Sequence, residues 1–136
     1  SSGGLKMQAH VFALRVYYED TDLAGIVYYA NYLKFIERAR SEWVRSLGVD
    51  QKALKADRGI VFAVRHIEAD YIAPAKFDDT LDVTTELTTS TVARLVLLQN
   101  VYKNGKVLFK SRVTLVALAF TGRPVRLPAE FRLIGP

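Results

Sequence analysis

The sequence contains no cysteine and only two histidines, His10 and His66, among 136 residues. Disulfide bonds, thiolate metal sites and cysteine nucleophiles are therefore excluded, and we predict no metal site. Charged residues interrupt every hydrophobic stretch before it reaches the roughly 18 apolar residues that a membrane-spanning helix needs. The N-terminal residues also lack the apolar centre of a secretory signal, so we predict a cytoplasmic protein with no membrane span.

Half of the residues are hydrophobic, which is enough to build a buried core. The length suits one domain, so we expect residues 1–7 to form a flexible tail and residues 8–136 a single domain. The formal net charge of +5 is typical of a protein with an anionic partner, such as nucleic acid, a membrane surface or a phosphorylated small molecule, and equally of an ordinary solubilising surface. The basic residues form no continuous stripe with interleaved aromatics, so we expect no nucleic acid and favour a phosphorylated ligand.

The apolar pattern predicts a strand over residues 10–18, a turn, and one long helix over residues 31–47. Asn31 has the side chain of a helix N-cap, and Gly48 suits a helix C-terminus. A polar connection over residues 51–59 follows. Beyond it the alternation predicts strands over residues 60–72, 80–88, 92–103 and 106–120, with an Asn104-Gly105 hairpin turn.

One helix with at least four following strands predicts an α+β fold, with the helix on one face of an antiparallel sheet. The last strand has apolar residues on both faces, which indicates burial on both sides and therefore oligomerisation. The helix stripe comprises Tyr32, Leu33, Ile36, Ala39, Trp43 and Leu47. Arg40 projects into this stripe, either with its stem packed and its head in solvent or in an ion pair with Glu37.

The segment over residues 17–32 places Asp20 and Asp22 in a turn shortly before the N-terminus of the helix. Unpaired amides and a partial positive charge at a helix N-terminus suit a developing oxyanion. A neighbouring carboxylate can serve as nucleophile or as general base for water. The spacing alone is more typical of a structural turn than of a catalytic site, since acidic turns beside helices are common.

The run from Asp20 to Tyr32, Asp-Thr-Asp-Leu-Ala-Gly-Ile-Val-Tyr-Tyr-Ala-Asn-Tyr, resembles the signature of the 4-hydroxybenzoyl-CoA thioesterase-like hotdog family. The residues that precede it from Tyr17, and the later Tyr-Ile-Ala-Pro-Ala over residues 71–75, are similar to motifs of the Tol–Pal-associated acyl-CoA thioesterase subfamily. The resemblance extends over residues 11–118, which is most of the chain.

This resemblance implies a hotdog fold, with the sheet wrapped around the helix, and homodimers that assemble into tetramers with active sites at the dimer interface. Asp22 matches the catalytic carboxylate of the family, and Tyr29 matches the residue whose backbone amide binds the oxyanion. Gly25, Val27 and Asn31 are the expected substrate-binding residues. Members of the closer subfamily often have histidine in place of Tyr29, whereas aromatic-acyl thioesterases can have tyrosine.

The expected reaction is hydrolysis of an acyl-CoA, or of an acyl carrier protein thioester, without a cofactor, since coenzyme A is part of the substrate. Asp22 would attack the thioester carbonyl or deprotonate a water, and the sequence does not choose between these routes. Two alternatives stay open. Glu37 or Glu42 on the helix could supply the catalytic carboxylate, or the protein could bind acyl thioesters as a non-catalytic scaffold in membrane-associated lipid metabolism.

Overall fold

A computed structural model of the chain describes residues 9–132, so the tail predicted over residues 1–7 lies outside the described part. The strands are β1 (His10–Arg15), β2 (Ile60–Tyr71), β3 (Thr80–Ser90), β4 (Arg94–Lys103), β5 (Lys106–Ala119) and β6 (Pro124–Val125). The helices are α1 (Asn31–Ser46), α2 (Gln51–Arg58) and α3 (Ala129–Arg132). None of the described helices is long and apolar enough to cross a membrane.

All strand pairs are antiparallel, in the order β1-β3-β4-β5-β2, and β6 adds to β5. The strand predicted over residues 80–88 is confirmed as β3, and its inner face is formed by the buried residues Leu81, Val83, Thr85 and Leu87. Helix α1 packs mainly over β1, β3 and β4. The predicted α+β arrangement, one long helix on an antiparallel sheet, is therefore confirmed.

Helix α1 buries one stripe against this sheet and ends before Gly48, whose φ of +82° is the left-handed conformation that glycine tolerates best. Leu33 was predicted in the stripe but is 43% exposed. The apolar face is rotated slightly from the predicted one, and its buried members are Tyr32, Phe35, Ile36, Ala39, Trp43 and Val44.

Two polar residues of α1 have different partners from those predicted. Asn31 does not cap the helix, because it occupies the first helical position and its side-chain amide donates to the Asp20 carbonyl at 2.9 Å. Arg40 does not rely on Glu37. Its guanidinium donates to Oε1 of Gln99 on β4 at 2.8 Å, so a neutral buried amide is the partner that holds it.

The predicted polar connection over residues 51–59 is wrong, since most of it is helix α2. The Asp50 carboxylate caps this helix by accepting from the backbone amides of Lys52 and Ala53. Gly59 ends it with a φ of +64°. Leu54 is its one buried residue, and the helix is only eight residues long, so its apolar pattern covers little more than two turns.

A row of polar residues crosses the inner face of the sheet beneath α1. The strand registers align His10 with Thr85, Thr85 with Gln99, and Gln99 with Ser111. Gln99 is fully buried, and its amide donates to the Ile36 carbonyl and the Thr85 hydroxyl, each at 2.9 Å. The Ser111 hydroxyl donates to the Gln99 carbonyl at 2.6 Å. This row ties α1 to the middle of the sheet.

Candidate active site

Two chain segments about 50 residues apart meet beside the N-terminus of α1. The Val27 amide donates to the Ala75 carbonyl at 2.8 Å, and Ile26 forms an isolated antiparallel bridge with Lys76. The hydroxyl of Tyr32, in the first turn of α1, accepts from the Ala75 amide at 3.0 Å. The two motifs identified in the sequence therefore form one structural unit.

Asp22 lies in a tight turn at the exposed edge of this unit. Its carbonyl accepts from the Gly25 amide at 3.0 Å, and its own amide donates to the Ile26 carbonyl at 2.9 Å. Oδ1 of Asp22 accepts from the Ala24 amide at 2.9 Å, which fixes the carboxylate relative to the turn. Gly25 has a φ of +79°, a conformation that costs other residues about 1–2 kcal/mol. The turn thus presents an ordered, exposed carboxylate.

Asp20 is a structural support of the turn before α1. Only 8% of the residue is exposed, and Oδ2 accepts from the Tyr17 amide at 2.9 Å. Its carbonyl accepts from the Tyr28 amide and from the Asn31 side chain. Asp20 therefore connects the strand end, the turn and the start of α1.

The Tyr29 amide lies just before α1 and has no acceptor among residues 9–132. The Tyr29 carbonyl, in contrast, accepts from the Tyr71 hydroxyl at 3.2 Å and from the Tyr32 amide at 3.4 Å. These two bonds hold the peptide group in place while its neighbouring amide stays available. A free amide at the positive end of a 16-residue helix can stabilise a developing oxyanion.

A pocket of about 290 Å³ opens between the two segments, and its walls include Val27, Tyr29, Tyr32 and Tyr71. The Tyr32 ring stacks on Phe109 with centroids 5.0 Å apart, and the Tyr71 ring packs edge-on against it. Burial raises the pKa of Tyr32, and burial together with the neighbouring Tyr29 raises the pKa of Tyr71. Both hydroxyls are therefore neutral at physiological pH and able to donate hydrogen bonds.

Of the predicted site residues, Val27 and Tyr29 lie in the pocket wall, although Val27 is only 3% exposed. Asp22 and Gly25 form the adjoining turn and do not line the pocket formed by one chain. Asn31 turns its side chain to Asp20 instead. The roles assigned to all five residues stay predictions.

Sequence reasoning gave no role in the site to Tyr32 and Tyr71, which line the pocket, or to Ala75, which holds the second segment against the first. Their position in the quoted motifs was the available signal. This signal could not show that Tyr71 lies opposite Phe109, because that contact depends on the register of the strands and not on a local sequence pattern.

The other candidate carboxylates lie elsewhere on α1. Glu37 accepts from the Ser41 hydroxyl at 3.4 Å, and Glu42 forms an ion pair with Arg45 at 3.0 Å. Neither lines the pocket. Within residues 9–132, no group of three or more His, Asp and Glu side chains is arranged to hold a metal ion.

Comparison with known proteins gives a consistent result. Residues 16–133 match the thioesterase-like superfamily. The acyl-CoA thioesterase YbgC of Haemophilus influenzae is 41% identical over 123 residues, which cover 89% of this chain and 90% of that protein. The acyl-CoA thioester hydrolase YbgC of Escherichia coli is 43% identical over 125 residues, which cover 88% and 92%.

Among solved structures, a probable thioesterase from Bartonella henselae superposes with a TM-score of 0.86 at 35% identity, covering 89% of this chain and all of that one. A 4-hydroxybenzoyl-CoA thioesterase variant shares the fold, with a TM-score of 0.87 at 21% identity over 96% of this chain and 100% of that one. The predicted family is therefore confirmed: this chain belongs to the thioesterase-like superfamily, and it is a thioester hydrolase with the hotdog fold.

Proposed function

We propose that this thioesterase hydrolyses acyl-CoA, with Asp22 as the catalytic carboxylate and the Tyr29 amide as the oxyanion donor. The proposal rests on two groups within one short segment, the ordered and exposed carboxylate of Asp22 and the free amide of Tyr29 just before α1. The names of the two YbgC relatives support acyl-CoA as the substrate class. An acyl carrier protein thioester would present the same reacting group.

In the covalent route, the Asp22 carboxylate attacks the thioester carbonyl and forms a tetrahedral oxyanion that accepts from the Tyr29 amide. The carbon–sulfur bond then breaks, and the departing thiolate takes a proton from solvent. Water hydrolyses the resulting anhydride, which releases the acid and restores Asp22. In the alternative route, Asp22 takes a proton from a water that attacks the same carbonyl, so no acyl-enzyme forms.

The acyl group would occupy the pocket walled by Tyr29, Tyr32 and Tyr71. A volume of about 290 Å³ suits a short acyl chain or a single aromatic ring. The apolar ring faces would contact the acyl carbons, the Tyr32 hydroxyl would be free to donate to a polar substituent, and the Tyr71 hydroxyl oxygen would be free to accept from one. We therefore expect a preference for small acyl groups over long saturated chains.

The site would be completed by a second copy of the chain, paired along β2. This strand is the edge of the sheet, and an unpaired edge of 12 residues is a template for strand addition. Val64, Ile67 and Tyr71 face inward opposite buried residues of β5, yet they are 45%, 37% and 49% exposed. Because Tyr71 also lines the pocket, a copy paired there would lie beside it. Assembly of such dimers into tetramers remains part of this proposal.

The first test is thiol release from a panel of short, long and aromatic acyl-CoAs, with an acyl carrier protein thioester alongside. The absence of cysteine gives a thiol reagent no background signal from the protein. We expect turnover by the wild type and a loss of at least about a hundredfold in kcat/KM for Asp22→Asn. Asp57→Asn, an exposed carboxylate on α2, is the matched control and should retain full activity.

Other outcomes would contradict specific parts of the proposal. Activity that persists in Asp22→Asn but disappears in Glu37→Gln would move catalysis to α1. Tight binding without release of thiol would support the scaffold alternative. Incorporation of oxygen-18 from labelled water into Asp22 during a single turnover would support the covalent route, whereas its absence would favour general-base catalysis.

The dimer is tested separately with Ile67→Asp, which places a charge on the inward face of the exposed edge strand. We expect this variant to sediment as a monomer and to lose activity, while the wild type sediments as a dimer or tetramer. An active monomeric wild type would contradict the β2 interface and leave the Asp22 assignment intact.

A further inference from the structure

The outer face of the sheet, which points away from α1, divides into two ends of different charge. At one end Glu68 lies opposite Arg112, with 4.0 Å between carboxylate and guanidinium, and Asp70 lies opposite Lys110. Charges of both signs are mixed there, as on an ordinary soluble surface.

At the opposite end, two cavities with an apolar floor have basic residues in their walls. A cavity of about 600 Å³ has Arg65, Arg94 and Arg126 in its wall, and a neighbouring cavity of about 760 Å³ has Lys52 and Lys55. We call these five residues the basic face. No acidic residue of the described chain lines either cavity, and none of the five cations forms an ion pair with a described acidic residue.

The apolar floor is continuous because Leu118 lines both cavities. Strand register places Val61 beside Leu118, and Val116 is the next outward residue of β5. Two apolar side chains protrude further. Phe120 at the end of β5 is 89% exposed, and Val92 before β4 is 53% exposed. Protruding apolar residues inside a ring of cations are typical of surfaces that bind at a membrane interface.

We propose that the basic face docks this thioesterase on an anionic phospholipid surface. Phospholipid phosphates would contact the five cations, and Phe120 would insert at the level of the headgroups. Symmetric pairing of two copies through this face is disfavoured, because it would oppose five cations to five. The proposal goes beyond thioester hydrolysis and does not depend on the identity of the acyl group.

Binding can be measured by cosedimentation with vesicles of phosphatidylcholine that contain about one third phosphatidylglycerol, against vesicles of phosphatidylcholine alone. We expect the wild type to bind only the anionic vesicles, and to dissociate as salt is raised. Each cation contributes roughly a factor of five to the partition coefficient, so Lys52→Glu with Lys55→Glu should lower it by at least about 25-fold. Phe120→Ser should lower it by about tenfold.

Lys110→Glu is the matched control, since it reverses one charge at the mixed end of the same sheet face. It should change vesicle binding by less than about fivefold. Thermal unfolding of every variant shows whether it folds, and the hydrolysis assay in solution reports the active site independently of docking.

Three outcomes would overturn the docking proposal. The first is failure of the wild type to bind anionic vesicles at low salt, and the second is binding by the double lysine variant that equals binding by the wild type. The third is a wild type that does not bind vesicles, together with a double lysine variant whose sedimentation mass differs from that of the wild type. That result would identify the basic face as an interface between copies of the chain.

Discussion

Replacement of Gln99 by leucine tests whether the polar row beneath α1 contributes to stability through its hydrogen bonds. Gln99 is fully buried and makes three side-chain bonds, to the Ile36 carbonyl, the Thr85 hydroxyl and the Arg40 guanidinium. Leucine has nearly the same volume, so Gln99→Leu creates no large cavity. Its effect therefore reports on lost polar contacts.

The magnitude follows from the partners that remain. The bond from Arg40 involves a charged donor and is worth about 1.5–3 kcal/mol, and the bond to Thr85 is worth about 1 kcal/mol. Burial already lowers the pKa of Arg40, while Glu37 acts in the opposite sense, so this guanidinium is partly desolvated. Arg40 is only half-buried and can recover some solvation. We therefore expect a loss of about 2–4 kcal/mol in the free energy of unfolding, or about 10 °C in Tm.

Urea unfolding of Gln99→Leu, Arg40→Met and the double variant measures the coupling between the two side chains. The double variant removes both partners, so it should recover at least about 1.5 kcal/mol relative to the sum of the single losses. Thr84→Val, on the outward side of β3, should change stability by less than about 0.5 kcal/mol. A loss below about 1 kcal/mol in Gln99→Leu, or additive single losses, would refute the reasoning.

Three further predictions concern the site and its supports. Tyr32→Phe leaves the buried Ala75 amide without its acceptor, so the free energy of unfolding should fall by about 1–2 kcal/mol. The value of kcat/KM should fall as well, and an unchanged free energy of unfolding would contradict this prediction. Gly25→Ala should cost about 1–2 kcal/mol and lower kcat, purely through its φ of +79°, since an added Cβ meets nothing within 4 Å. Burial alone would raise the pKa of Asp79, but hydrogen bonds from Lys103 and a backbone amide outweigh it and lower the pKa. The ionised carboxylate therefore contributes fully to stability above its ordinary pKa of 3.8, and this contribution is lost as the pH falls below that value. The free energy of unfolding should consequently decrease less steeply with falling pH in Asp79→Asn than in the wild type.

Those parts of the fold that depend on local pattern could be predicted from the sequence. Alternation located β3, because each inward side chain must be apolar or fully hydrogen-bonded. The Asn104-Gly105 pair requires two positive φ angles, and the structure has 50° and 80° there. Gly48 marked the end of α1 for the same conformational reason.

Helix α2 was missed because it has only eight residues and only Leu54 among them is buried, so its apolar pattern is too short to stand out from a polar connection. Its terminal signals were nevertheless present, with Asp50 as the cap and Gly59 at the end. A search for caps as well as periodicity would have found it. The Arg40 partner could not be found in this way, since Gln99 lies 59 residues away and reaches Arg40 only through the sheet register.

The position of the candidate site follows from the same register. Tyr71 at the end of β2 lies opposite Phe109, and Tyr32 in the first turn of α1 stacks on that ring, which sets the helix N-terminus beside the end of the edge strand. The free Tyr29 amide therefore lies beside the end of β2, the unpaired edge strand of the sheet. Because α1 lies over β1, β3 and β4, the inward side of β2 stays open next to this amide. In the proposed mechanism one chain would supply the catalytic carboxylate and the amide that binds the oxyanion, and the β2 strand of a second copy would complete the pocket.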